Sequence, residues 1–187
     1  MIGNIATYQI LDNISGPGRR LWIYFQGCNK NCKGCKAKSF QKVLGENNCD
    51  EVIFEIENLI KTEQLDGITI SGGEPFLQPT LLEYVIDLYS KYKKKANNIV
   101  VYTGYLFENI KDVYPNIFEK IDVLIDGEYT EMLDDNVNCL KGSINQRIIF
   151  FNNQAKAIFE KYLVDNKKRK QIILYNTKLK KFMSFGV

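Results

Sequence analysis

Cys28-Asn29-Lys30-Asn31-Cys32-Lys33-Gly34-Cys35 sets three thiols at the spacing C-x3-C-x2-C. A strand-like run, Leu21 to Phe25, and a Gln26-Gly27 turn lead into it. The segment is short, and Gly27 and Gly34 give its backbone the freedom to fold back so that the thiols converge on one centre. Thiolates are soft donors that suit zinc and iron–sulfur clusters. Structural zinc takes four protein ligands, and this loop supplies three. Three thiolates on a cubane cluster leave one iron open for chemistry, and that is the expectation for Cys28, Cys32 and Cys35. The alternative is a zinc site completed by Cys49, fourteen positions after Cys35.

Outward from the loop, the chain alternates between strand-like and helix-like periodicity. Ile5 to Leu11 reads as a first strand, followed by a turn through Asn13-Ile14-Ser15-Gly16-Pro17-Gly18. Arg19 and Arg20 lead from this turn into the strand before the cysteines. Beyond the loop, Asn48 with Glu51 three residues on predicts a capping box opening a helix to about Thr62. Ile53, Ile56, Leu59 and Ile60 form its apolar stripe. Gly67 to Ser71 is a short buried strand running into Gly72-Gly73-Glu74-Pro75. A helix is expected from about Thr80 to Lys95, then a strand at Asn98 to Thr103 and helical material from Tyr105 to Val113 and again around Phe118. Ile121 to Ile125 and Ile148 to Phe151 are further strands. A helix near Asn153 to Leu163 and a hairpin of Gln171 to Tyr175 with Lys181 to Phe185 complete the chain.

Strands alternating with helices imply βαβ units and a mostly parallel sheet. A full eight-stranded α/β barrel takes about 250 residues, and this chain has 187. The fold class expected is therefore α/β: a partial, open barrel of about five or six mostly parallel strands with flanking helices. The length suits a single domain over 1–187, with a core to about residue 150 and a helix and hairpin beyond it. In such sheets ligands sit beyond the carboxyl ends of the strands. The cysteine loop, Ser71 to Glu74, Thr103-Gly104, Asp126-Gly127 and Gly142 to Arg147 all fall at such ends or loops.

Composition narrows the chemistry. The chain has no histidine, which excludes Ser-His-Asp triads, histidine-ligated zinc hydrolases and histidine general bases. Five cysteines, three of them crowded together, make a poor disulfide framework and a good metal one. A net charge of +3 is too small to argue for nucleic acid. No apolar run reaches the roughly 18 residues of a membrane span, and no signal-peptide pattern opens the sequence, so a cytoplasmic protein without membrane contact is expected. Lys30, Lys33, Lys36 and Lys38 surround the thiols and would favour thiolates electrostatically, or serve only as a solvated face. Lys91, Lys93, Lys94 and Lys95 are expected to close a helix as a solvated face. Cys49 and Cys139 read as ordinary semi-buried thiols. The aromatics, Trp22 and Phe25 among them, read as core.

The cysteine loop followed by Gly72-Gly73-Glu74 resembles the radical S-adenosylmethionine superfamily. Within it, Gln26-Gly27-Cys28, Lys33-Gly34-Cys35, Val101-Tyr102-Thr103-Gly104-Tyr105, Asp122 to Tyr129 and Gly142-Ser143-Ile144-Asn145-Gln146-Arg147 resemble the small activases of anaerobic ribonucleoside-triphosphate reductase. Lys36 stands where members often carry an aromatic. The resemblance implies a [4Fe-4S] cluster on Cys28, Cys32 and Cys35 whose open iron takes S-adenosylmethionine. It implies cofactor contacts from Gly34, Lys36, Gly72, Gly73, Glu74, Thr103, Asp126, Asn145 and Arg147, with no catalytic residue beyond the cluster ligands; the triplet Asn145, Gln146 and Arg147 is expected to line the cofactor or the docking edge. It also implies two partners, a large glycyl-radical reductase subunit and a flavodoxin- or ferredoxin-type electron donor. A radical enzyme acting on a small molecule or peptide, such as a 7-carboxy-7-deazaguanine synthase-like protein, is the alternative within the superfamily. A non-enzymatic zinc or iron–sulfur module is the alternative outside it.

Overall fold

A computed structural model of the chain describes residues 1–14, 16–134, 136, 139–166, 171–176 and 181–186. Strand β1 (Ile5–Asp12) turns back antiparallel onto β2 (Arg19–Phe25). The turn is closed by Asn13, in the left-handed region at φ 53°, whose side-chain Oδ1 accepts from Gly18 N at 3.0 Å. Helix α1 (Asp50–Thr62) crosses to β3 (Gly67–Gly72), and α2 (Pro79–Ser90) crosses to β4 (Asn98–Tyr102). The short helices α3 (Phe107–Ile110) and α4 (Pro115–Phe118) lead to β5 (Val123–Asp126). Strand β6 (Arg147–Phe150), helix α5 (Asn153–Asp165) and the antiparallel pair β7 (Gln171–Asn176) and β8 (Lys181–Gly186) follow.

The first six strands form one sheet in chain order, β1-β2-β3-β4-β5-β6. The three central pairings, β2–β3, β3–β4 and β4–β5, are parallel, and the two outer ones are antiparallel. This is the open, mostly parallel partial barrel that the alternating pattern predicts. Consecutive parallel neighbours need crossovers of one hand, so α1 and α2 lie on the same face. Strand alternation then sorts the side chains. Leu21, Ile23 and Phe25 of β2 join Ile53, Ile56 and Ile60 of α1 and Leu82 and Val85 of α2 in the main core. Trp22 and Tyr24 point the other way, with Ala6 and Phe40. On that second face, Val100, Val123 and Ile125 pack against Ala155, Phe159 and Tyr162 of α5.

Several local expectations change. The capping box does not form: Cys49 flanks α1 without a side-chain cap, and Asn48 Oδ1 accepts from Asp50 N at 2.7 Å as a turn ahead of the helix. Helix α2 stops at Ser90, five residues short of Lys95. Its buried stripe of Leu81, Leu82, Val85, Ile86, Leu88 and Tyr89 runs out there, and four lysines beyond have nothing to bury. The two helical pieces expected after Tyr105 both form, but the first is shortened to Phe107–Ile110, and Pro115 begins the second and disfavours helix at Tyr114.

Arg20 is not a leader into the strand but a fully buried member of it. Its guanidinium donates from Nε to Thr69 Oγ1 at 2.8 Å, from Nη1 to Asn98 Oδ1 at 2.6 Å and Pro17 O at 3.3 Å, and from Nη2 to Ile68 O at 2.6 Å and Asn98 O at 3.3 Å. These acceptors sit at the starts of β3 and β4, so one side chain ties three strands at the end of the sheet opposite the cysteines. Burial pulls its pKa down to about 10, which leaves it charged at neutral pH.

Candidate functional site

The cysteine loop leaves the carboxyl end of β2 and is anchored by main-chain bonds at its root. Gly27 N donates to Phe40 O at 2.8 Å and Cys28 N to Gln41 O at 3.0 Å. The end of β3 laces onto the same root, with Gly73 N to Phe25 O at 2.7 Å and Glu74 N to Gly27 O at 2.8 Å. The glycine pair is what allows this approach. Gly72 has φ +108°, and a Cβ on Gly73 would lie 2.1 Å from Gly27 O. Main chain fills that space, so the clash has no flexible side chain to relieve it. Gly73→Ala is expected to cost about 2–3 kcal/mol and to loosen the cysteine loop. The check is a lowered urea midpoint together with reduced iron uptake, against Gly45→Ala as control, where nothing lies within 4 Å of an added Cβ.

One cavity gathers much of the predicted site. Cys28, Cys32, Cys35 and Lys36 line it together with Gly72, Gly73, Glu74 and Thr103. All three thiols are half-buried and reduced. Cys28 Sγ accepts from Lys30 N at 3.4 Å. Burial pushes the Cys28 and Cys32 thiols up; Glu74 adds to the effect at Cys28, while Cys35 and Glu128 do so at Cys32. At Cys28 and Cys32, burial thus outweighs any thiolate-favouring effect of the nearby lysines. Lys30 Nζ lies 3.1 Å from Glu128, Lys33 3.9 Å from Glu131 and Lys36 2.7 Å from Asp134, so their charge is largely spent on carboxylates, and Lys38 is exposed.

The donor set fits a cluster better than a single ion. Among the described residues no group of three or more His, Cys, Asp or Glu side chains is gathered closely enough to hold one metal ion. Tetrahedral zinc at about 2.3 Å from each sulfur would need such gathering. Cys49 is also in the wrong place for a fourth ligand. It is buried in the main core with its Sγ 3.4 Å from Met1 O. Cys139 is buried against α5. The three cysteines line one cavity and are soft donors of the kind that an iron–sulfur cluster takes.

Glu74 is almost fully buried beside the thiols. Its Oε1 accepts from Thr103 Oγ1 at 2.9 Å and Phe76 N at 3.0 Å, and Oε2 accepts from Gly104 N at 2.7 Å. Burial raises its pKa in spite of these three donors. The carboxylate thus braces the end of β3 against the end of β4 while lining the cavity. Thr103 is brought in by this brace.

Other predicted residues stand outside the cavity lining. Gly34 sits at φ +68° with its open side against the Glu131 side chain. Asp126 is fully buried, accepting from Phe107 N at 2.8 Å and Arg147 Nε at 2.9 Å. Arg147 also forks onto Glu108 at 3.1 and 2.7 Å, so the pair locks β5 to β6 and α3. Asn145 Nδ2 donates to Glu128 O at 2.8 Å. Of that triplet it is Gln146 that reaches the cavity, donating to Gly127 O at 2.9 Å and accepting from Gly142 N at 2.7 Å. Trp22 is core as expected, packed with Ala6, Tyr24 and Phe40, and it lines the cavity as well. Trp22, Tyr24, Tyr102 and Tyr129 form an aromatic wall to the cavity, with Gln41 beside it. Alternation along β2 carries the signal, because it sets Trp22 and Tyr24 on the face opposite Leu21, Ile23 and Phe25.

Comparison with known proteins agrees with this arrangement. Residues 14–149 match the model of the 4Fe-4S single cluster domain. The chain is 31% identical over 140 residues to the anaerobic ribonucleoside-triphosphate reductase-activating protein of Enterobacteria phage T4, covering 73% of this chain and 87% of that one. It is 32% identical over 150 residues to the Haemophilus influenzae protein of the same name, covering 78% and 96%. The Escherichia coli K12 protein of that name is 29% identical over 150 residues, covering 76% and 96%. No helix among the described residues is long and apolar enough to cross a membrane. With its thiols lining one cavity at the carboxyl ends of an open parallel sheet, the chain belongs to the 4Fe-4S single cluster domain family, as an oxidoreductase of the radical S-adenosylmethionine activase type.

Proposed function

We propose that this activase holds a [4Fe-4S] cluster on Cys28, Cys32 and Cys35, binds S-adenosylmethionine at its open iron, and generates a glycyl radical on a partner anaerobic ribonucleotide reductase. When bound, the cluster supplies the electron that splits the sulfonium C–S bond into methionine and a 5′-deoxyadenosyl radical, which takes a hydrogen atom from a glycine Cα. The observation that carries this reading is the shared cavity, which three thiols line together with the ends of β3 and β4 joined through Glu74. Gly72 and Gly73 present main chain to the methionine end, and Glu74 offers its remaining carboxylate lone pairs to the amino group. Lys36 and Thr103 complete the rim, with Gly34, Asp126, Asn145 and Arg147 acting through the loops that they hold in place. Trp22, Tyr24 and Tyr102 keep water from the reacting end. A glycine loop suits such a site because it has no side chain to block its entry. A flavodoxin- or ferredoxin-type protein is the electron donor in this reading.

The test is anaerobic reconstitution. A brown protein with about four irons per chain that releases 5′-deoxyadenosine on dithionite addition is expected. Mixing it with the reductase subunit is expected to yield a glycyl-radical electron paramagnetic resonance doublet. Release of 5′-deoxyadenosine without that doublet would retain the cofactor chemistry and reject the acceptor.

A further inference from the structure

The cysteine loop and the segment after β5 are matched in a way that the cofactor site does not require. Lysines at 30, 33 and 36 recur every third residue, two between the thiols and one just after Cys35, and Glu128, Glu131 and Asp134 recur every third residue after β5. They pair in order, at 3.1, 3.9 and 2.7 Å. The two end rungs are built in. Lys30 Nζ lies 3.7 Å over the Tyr105 ring and its side chain is 17% exposed. Asp134 is 5% exposed and also accepts from Tyr129 OH at 3.0 Å. The middle rung is looser, with Lys33 94% exposed. The two segments touch closely there all the same, since a Cβ on Gly34 would meet Glu131 Oε1 at 2.5 Å. Tyr129, inside the acidic segment, lines the same cavity as Cys32.

We propose that residues 128–134 form an electrostatic clasp on the cysteine loop, which fixes the loop through three ordered ion pairs and cancels the charge of its lysines beside the thiols. Exposed single pairs contribute little. Three in register, two of them partly buried, hold the loop as a unit. The charge consequence is separate from the mechanical one. Uncompensated lysines beside a cluster would favour its reduced, more negative form, because cluster potential follows local charge and hydrogen bonds to sulfur. The clasp removes that bias and keeps the couple strongly reducing. Glu128 and Lys30 are positioning residues here, acting through the loop.

The inference rests on Cys28, Cys32 and Cys35 as cluster ligands, and its test separates the two. In the metal-free full chain, Glu128→Gln/Asp134→Asn is expected to speed alkylation of Cys32 by iodoacetamide about threefold or more, read by peptide mass spectrometry. An unchanged rate overturns the clasp whatever the ligands are. In the reconstituted chain, redox titration followed by electron paramagnetic resonance is expected to move the midpoint upward in Glu128→Gln and downward in Lys30→Gln. Loosening alone would move both in the same direction, so shifts of one sign, or none, overturn the charge role. Failure of the parent chain to take up iron would reject the ligand reading while leaving the alkylation test intact.

Discussion

Cys32→Ser is expected to abolish iron uptake and all release of 5′-deoxyadenosine, while Cys49→Ser and Cys139→Ser retain both. A serine hydroxyl is a hard, neutral donor where the cluster needs a soft thiolate, and the two remaining thiols of the loop hold only two corners. Cys28→Ser and Cys35→Ser are expected to behave as Cys32→Ser does. The core cysteines differ in kind. Cys49 packs with Ile53 and Ile56 beneath the sheet, and Cys139 lies beside Phe159 and Tyr162, so a hydroxyl there costs about 1–2 kcal/mol of stability and no chemistry. Iron analysis and product chromatography on the five variants read the outcome. Retained cleavage in Cys32→Ser, or its loss in Cys49→Ser at a temperature where that variant is folded, would reject the ligand set.

The largest stability effect is expected at the other end of the sheet. Arg20→Met is expected to lower stability by about 3–5 kcal/mol, since each buried group that loses its partner costs about 1–3 kcal/mol, and to move the urea midpoint by about 1–2 M. The guanidinium makes five hydrogen bonds to Thr69, Asn98, Ile68 and Pro17. Without it, acceptors on β3, on β4 and in the turn before β2 lose these donors. Arg20→Lys is expected to recover less than half of the loss, since an ammonium has three donors and no planar fork. Gly67 is part of the same arrangement: a Cβ there would meet Arg20 Nη1 at 2.5 Å and Asn98 O at 2.4 Å. A midpoint shift under about 0.3 M for Arg20→Met would show that the network adds little net stability.

Much of the site was legible because its chemistry is local in sequence. The three thiols, Gly72-Gly73-Glu74 and Thr103 each follow a strand that its hydrophobic pattern announces, and parallel strands deliver their carboxyl ends to one side. Residues whose partners are distant were not legible in this way. Arg20 looked like a polar approach to a strand, and nothing near it in the chain says that Asn98 will complete its shell. Asp126 and Arg147 looked like cofactor contacts, whereas the fold spends them on each other and on Glu108. Gln146, which the same loop offered beside Asn145 and Arg147, is the one of the three that lines the cavity, held in the turn ahead of β6 by Gly142 N and Gly127 O.

The sequence by itself determined the soft-donor loop, the alternation of strands and helices, and the absence of any histidine chemistry, since each depends on residue type and short-range spacing. Only the tertiary structure decided where the charges go. An ion pair forms between side chains that the fold brings within a few ångströms, and Lys30, Lys33 and Lys36 lie 98 positions before the carboxylates that neutralise them. Their count predicts an activating field around the thiols, and their partners remove it.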